Sequence, residues 1–253
     1  MLDKLLATFP CLHVERASAV TLSSMLAMRH LRCEYDAKLP PVAVLKLAQR
    51  MVELQPKAPE FFHFLRQHIT NHDHKDPKPT KYCVLHQEMP VVSELIISFR
   101  SLGLMENPFI AGTILSFRIP DSHDIRIFLQ GTYVEMACYQ TLRTALEHEK
   151  DCEVLPNVKL YDSKNVLHSE IDVLVRRGKE LYFFEVKSGA NFDVEQITRL
   201  TSLLLRPDHL VLCPQGKNPD EMDGVAFFHR ITVTHLAELP AVVAKLMNIS
   251  SAA

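Results

Sequence analysis

The feature that most constrains this chain is a pair of β-rich runs that carry charges in apolar company. Glu170-Ile171-Asp172-Val173-Leu174-Val175 is followed, across Arg177-Gly178-Lys179, by Leu181-Tyr182-Phe183-Phe184-Glu185-Val186-Lys187-Ser188-Gly189. The basic tripeptide reads as a hairpin turn between two strands. Strand side chains alternate faces, so Glu170, Asp172 and Leu174 share one side while Ile171, Val173 and Val175 share the other. On the second strand Glu185 and Lys187 share a side, with Phe184 and Val186 behind. Pairing the strands gathers Asp172, Glu185 and Lys187 into one cluster of mixed charge.

An unpaired charge inside apolar strands is strongly disfavoured, so the cluster needs a partner. A divalent cation is one. Two carboxylates of different reach, with the Val186 backbone carbonyl, are hard oxygen ligands suited to Mg²⁺ or Mn²⁺. Such a site activates water and stabilises charge building on a phosphate, with Lys187 assisting. The plain alternative is a surface hairpin with a salt bridge, common for any single E-x-K triplet. The upstream Asp172 and the strongly apolar second strand weigh against it.

The pattern Asp172…Glu185-Val186-Lys187 resembles the PD-(D/E)XK nuclease superfamily. The wider arrangement runs from Gly131-Thr132-Tyr133-Val134-Glu135 opening a helix, through Glu170-Ile171-Asp172, to Phe184-Glu185-Val186-Lys187-Ser188-Gly189. It looks most like the nuclease domain of CARF-containing CRISPR ancillary endonucleases, over roughly residues 80 to 253. The resemblance implies an α/β fold, a restriction-endonuclease-like mixed sheet flanked by helices. It implies metal-dependent phosphodiester hydrolysis in DNA or RNA, in CRISPR-linked or other antiviral defence. Asp172 and Glu185 are then the principal metal ligands, and Glu135, on the matching helix, is a further one. Lys187 assists catalysis, and Glu170 and Gln196 are possible supports. Those nucleases usually carry an N-terminal CARF domain that senses cyclic oligoadenylate. No complete CARF domain is recognisable in the first part of this chain, so the sequence does not support a cyclic oligonucleotide activator.

Composition bounds the remaining classes. A chain of 253 residues can bury a substantial core in one large or two small domains. The formal net charge of −2 offers no global attraction for nucleic acid, so binding needs a local basic surface. The six cysteines form no C-x-x-C pair and no zinc-ligand spacing, which suits reduced thiols in the cytoplasm. Leu2 to Leu12 is too short and interrupted for a membrane span or a secretory signal, and no membrane partner is expected. No P-loop or G-x-G-x-x-G run is present.

Along the chain, residues 1–75 read as a helical N-terminal region. Helices are expected over Val42 to Leu54, opened by Pro40-Pro41, and over Pro59 to Ile69. His72-Asp73-His74-Lys75-Asp76-Pro77 reads as a linker or exposed loop. Residues 80–130 read as winged-helix-like: a helix from Met89 ending near Gly103, then strands Thr113 to Ile119 and Ile125 to Leu129. Arg100, Arg118 and Arg126 supply little positive charge, which favours a structural spacer over DNA binding. The nuclease-like domain occupies residues 131–253.

Within it, Glu135 shares a helical stripe with Cys138, Tyr139, Leu142, Ala145 and Leu146. It serves there either as a hydrogen-bond acceptor or helix-start charge, or as the implied ligand. Glu153 to Leu160 is a strand. Asn165, His168 and Ser169 read as solvent-facing. Gln196 either completes a capping box with Asp193 or orients phosphate or water. Strands are expected at His209 to Cys213 and Val225 to Phe228, with a final helix over Thr234 to Met247. A twofold homodimer is expected, because cutting a duplex takes two scissions. The competing classes are a nucleic-acid-binding protein that keeps the fold without cleaving, and an assembly subunit.

Overall fold

The computed structural model describes residues 22–27, 30–35, 39–70, 80–85, 89–187, 194–204, 206–215 and 222–249. In chain order the elements are α1 (Leu22–Ala27), β1 (Arg32–Glu34), α2 (Val42–Leu54), α3 (Pro59–Thr70), β2 (Lys81–Val84), α4 (Met89–Ser101), β3 (Glu106–Ala111) and β4 (Ile114–Arg118). They continue with α5 (His123–Ile127), α6 (Tyr133–Ala145), β5 (Cys152–Tyr161), β6 (Leu167–Arg177) and β7 (Glu180–Lys187). The last are α7 (Val194–Ser202), β8 (Leu210–Pro214), α8 (Asp223–His229), β9 (Thr232–Val233) and α9 (Leu239–Leu246). The chain packs as two units. One is built on Pro40–Ala137, and the other on Cys138–Ala253 together with the described residues between 22 and 39.

The first unit has an aromatic core, in which Phe61, Phe62, Phe99, Phe117, Phe128 and Tyr133 are fully buried. The Phe61 and Phe99 rings stack at 6.3 Å, and Phe62 meets Tyr133 at 5.9 Å. The Tyr133 hydroxyl, which cannot be left unpaired in such a core, donates to Gln55 Oε1 at 2.9 Å. Helix α2 follows its apolar stripe, with Leu45, Leu47, Ala48 and Met51 buried and Val42 exposed. Helix α4 ends at Ser101, and Gly103 takes the left-handed φ of +72 that stops it.

The hairpin of this unit is not where the alternation of apolar residues placed it. Its strands are β3 and β4, turning at Gly112 with φ +60, and the sheet order is β2-β4-β3. Asn107, with φ +47, makes a bulge beside Pro108 that hides β3 from a search for regular alternation. Ile125 to Leu129 is helical. Ser122 Oγ accepts the Ile125 amide and opens α5, and Ile125, Phe128 and Leu129 are buried at helical spacing.

In the second unit a six-stranded sheet runs β1-β5-β6-β7-β8-β9 among the described residues. Pairing is antiparallel from β1 to β7 and parallel from β7 to β9. It is the mixed sheet flanked by helices expected from the sequence. The parallel steps need crossovers, and α7 and α8 supply them. Strand β7 is buried from Leu181 through Val186, as a strand covered on both faces must be.

Three local expectations change here. Arg32–Glu34, expected within a helical region, is a strand on the edge beside β5. Val225 to Phe228 lies in α8, and the strand follows it at Thr232–Val233. The last helix starts at Leu239, because Pro240 fits only the first helical turn.

Candidate active site

The hairpin turn is the two-residue Gly178-Lys179, and Gly178 has the left-handed φ of +57 that glycine takes at low cost. From there the β6–β7 ladder runs from Arg177↔Glu180 to Val173↔Phe184. The recorded pairing ends one residue short of Asp172. There the Asp172 side chain takes over, with Oδ2 accepting the Val186 amide hydrogen at 2.7 Å. A carboxylate receiving a backbone N–H in this way contributes about 1.5–3 kcal/mol and fixes its own orientation.

Glu185 is the second carboxylate, and only 2% of it is exposed. Its Oε1 pairs with the Lys187 ammonium and accepts a hydrogen bond from Gln196 Nε2 at 2.7 Å. Its Oε2 is buried with no hydrogen-bond partner among the described residues. Burial raises the Glu185 pKa above the ordinary carboxylate value, and Lys187 and Gln196 do not fully offset that; Glu170 adds to the rise. The Lys187 side chain is 26% exposed, so its ammonium reaches solvent while the carboxylate it pairs with does not.

The structure therefore brings together Asp172, Glu185, Lys187 and Gln196 where β7 ends and α7 begins. Gln196 directs its amide to Glu185; Asp193, the proposed cap partner, lies outside the described residues, as do Ser188 and Gly189. Glu170 is exposed, opposite Lys159 in register, with their charged groups 3.9 Å apart. Glu135 is in the first turn of α6, half-buried, in that helix's share of the first unit, whereas the other carboxylates belong to the second. Asn165 accepts from the Arg32 guanidinium, and His168 Nδ1 lies 3.1 Å from the Ser169 hydroxyl. Neither is drawn into the cluster.

The donor set suits a hard cation with few protein ligands. Among the described residues no group of three or more metal-ligating side chains converges. Mg²⁺, which keeps several of its waters, is commonly held by one or two carboxylates. Glu185 Oε2 is the buried acceptor such an ion would satisfy.

Sequence reasoning passed over Gln215. Its backbone amide donates to the Lys187 carbonyl at 2.8 Å, and its Nε2 is buried without a partner among the described residues. Only the β7–β8 register, which no local pattern discloses, places it beside Lys187.

No family model matches the chain, and no curated protein matches it. Solved structures do. The protein VC1899 from Vibrio cholerae aligns with a TM-score of 0.63 at 16% sequence identity, covering 90% of this chain and 61% of that one. Can2 from Sulfobacillus thermosulfidooxidans, in complex with cyclic tetra-adenylate, aligns with a TM-score of 0.63 at 14% identity, again over 90% and 61%. At these identities the likeness is one of fold. This chain spans about three fifths of the length of both structures. Among the described residues no helix is long and apolar enough to cross a membrane.

Proposed function

We propose that this chain is a metal-dependent nuclease that hydrolyses phosphodiester bonds in DNA or RNA, in a CRISPR-linked defence setting. The observation that supports it most is Glu185, a carboxylate buried in the sheet beside Asp172 with one oxygen that has no hydrogen-bond partner among the described residues. A purely structural salt bridge gains nothing from that arrangement. The fold shared with Can2, and the resemblance of the motif to CRISPR ancillary nucleases, support a defence setting.

Asp172 and Glu185 would hold Mg²⁺ or Mn²⁺, with the Val186 carbonyl as a further ligand. Such an ion, when bound, supplies Lewis-acid stabilisation of phosphate charge and lowers the pKa of water. The chain's own groups supply orientation and charge. The Val186 amide locks the Asp172 carboxylate, and Gln196 locks that of Glu185. Lys187 carries its positive charge at the solvent side of the pair, placed to steady negative charge developing on phosphate oxygens.

The test is a cleavage panel over single- and double-stranded DNA and RNA. Each is run with Mg²⁺, Mn²⁺ or chelator, and with or without cyclic tetra-adenylate. Cation-dependent cutting that disappears in Asp172→Ala supports the proposal. Cutting that survives chelator and Asp172→Ala alike refutes it, and binding without cutting in every condition assigns the chain to the non-catalytic class.

A further inference from the structure

Three buried side-chain atoms have no hydrogen-bond partner among the described residues: Glu185 Oε2, Gln215 Nε2 and His209 Nε2. His209 lies just before β8 begins. The other two belong to the opposite end of the sheet. Strands β7 and β8 run parallel, with Glu185 level with Leu212 and Lys187 level with Pro214. Gln215 follows Pro214, the last residue of β8, and its amide donates to the Lys187 carbonyl at 2.8 Å. Both atoms are thus carried at the carboxyl ends of neighbouring parallel strands, where open α/β sheets bind their ligands. Gln215 is already past the strand, so strict alternation of faces no longer fixes its side chain.

The two atoms are opposite in kind. A carboxylate oxygen only accepts, and an amide nitrogen only donates. Either one left bare costs about 1–3 kcal/mol, so two at one corner call for a common partner. They do not bond each other. Three residues separate the level of Glu185 from Gln215, about 10 Å of strand. A cation satisfies Oε2 alone. A water satisfies both, because its oxygen accepts from Nε2 while one of its hydrogens reaches Oε2. Those two bonds span up to about 6 Å, and the two side chains cover the rest.

We propose that Gln215 is a positioning residue of this site: its side-chain amide donates to a water shared with Glu185 Oε2, and through that water it strengthens cation binding at Glu185. The proposal rests on the reading of the β7 end as a cation site. With an ion on Oε2, Gln215 holds one of the waters that the ion retains. Donors of this outer kind are worth about 10–100-fold in metal affinity. The side chain is the part that acts. The backbone bond to Lys187 survives a side-chain substitution, so the end of β7 stays in place.

Gln215→Met keeps the length of the side chain and removes the donor. Without cation the variant is expected to melt within about 3 °C of the wild type or above it, since no protein hydrogen bond is lost. Titrated with Mn²⁺ in a calorimeter, the full chain carrying it is expected to show a dissociation constant raised about 10-fold or more. A metal-free crystal structure of the wild type is expected to place one solvent oxygen within about 3.2 Å of both Nε2 and Oε2. Unweakened Mn²⁺ binding by Gln215→Met, while Glu185→Gln loses it, overturns the proposal and leaves the cation site standing. A metal-free Gln215→Met melting about 5 °C or more below the wild type also overturns it, because the amide then serves the fold. So does a protein acceptor on Nε2 in the crystal. A wild type that binds no Mn²⁺ overturns this proposal together with the reading beneath it.

Discussion

Replacing Glu185 by glutamine separates what the site does for binding from what it costs the fold. The substitution keeps the shape, and the amide oxygen can still accept from Lys187 and Gln196 as Oε1 does now. What changes is the buried charge and the atom at Oε2, which has no partner among the described residues. Removing the charge lifts its desolvation cost. The new amide hydrogens, buried without acceptors, cost about 1–3 kcal/mol, and Lys187, already in partial contact with water, re-solvates cheaply. These effects oppose one another, so Glu185→Gln without metal is expected within about 1.5 kcal/mol of the wild type. The metal response is different. A cation at one hundred times its dissociation constant stabilises the wild type by about 2.7 kcal/mol, and stabilisation of the variant falls to near zero. Thermal unfolding with and without Mn²⁺ reads both quantities in one instrument. Full retention of the Mn²⁺-dependent rise in Tm by Glu185→Gln would refute the assignment of Glu185 as a ligand. A loss of several kcal/mol in the metal-free variant would show that the carboxylate is a structural part instead.

Lys187→Ala is expected to lower single-turnover cleavage by about 10²-fold or more with little change in substrate affinity, and Lys187→Arg should not restore it; near-normal cleavage by the folded Ala variant would contradict this role. Arg176→Ala is expected to cost about 3 kcal/mol in urea unfolding, since the buried guanidinium holds Asp151 at 2.8 Å, Glu153 at 2.7 Å and the Gly178 carbonyl at 3.0 Å; a cost below about 1 kcal/mol would mean those exposed carboxylates solvate freely. Burial holds the His209 pKa below its usual 6.5, so below about that pH the unfolded chain binds more protons at this ring than the fold does. Stability is thus level above about pH 6.5 and falls as pH drops, by at most about 1.4 kcal/mol per pH unit. His209→Phe should flatten that limb of the urea midpoint against pH.

The hairpin was legible because its two runs are long, β-branched and aromatic, and broken by a glycine that the turn needs. Period-two alternation then put Glu185 and Lys187 side by side, and the structure has them paired. The way Asp172 joins them was not legible. It does so by capping the Val186 amide where the ladder stops, and only the final register discloses that. Gln196 stood equally for a helix cap and for site support. Its contact with Glu185 depends on how α7 returns over the sheet, a long-range matter. Short or bulged strands were missed for local reasons. Arg32–Glu34 is too brief to show a period, and Asn107-Pro108 interrupts β3. At Ile125 to Leu129 the apolar residues fit both periods, and the Ser122 cap decided for a helix.

Arg176, Glu185 and His209 lie deep in or against the main sheet, and comparing them shows why the β7 end is the place to look for chemistry. Arg176 has carboxylates on two sides and a carbonyl on a third, so its burial is explained by its partners. His209 stacks on the Tyr182 ring at 4.1 Å and meets the Leu181 carbonyl at 3.2 Å through Nδ1. A carbonyl can only accept, so Nδ1 carries the proton and Nε2 is a bare acceptor. Being neutral, the ring leaves that nitrogen, which has no partner among the described residues, unpaired at modest cost. Glu185 has no such account. It is a carboxylate, as buried as the other two, with an acceptor that meets no donor among the described residues. Lys187, its countercharge, sits at the solvent side. A chain selected for stability alone would favour an apolar residue at position 185, as it has at 181, 183 and 184 of the same strand. Retaining a carboxylate there makes sense when an added cation is part of the working molecule, because a positive ion turns the local desolvation cost into attraction.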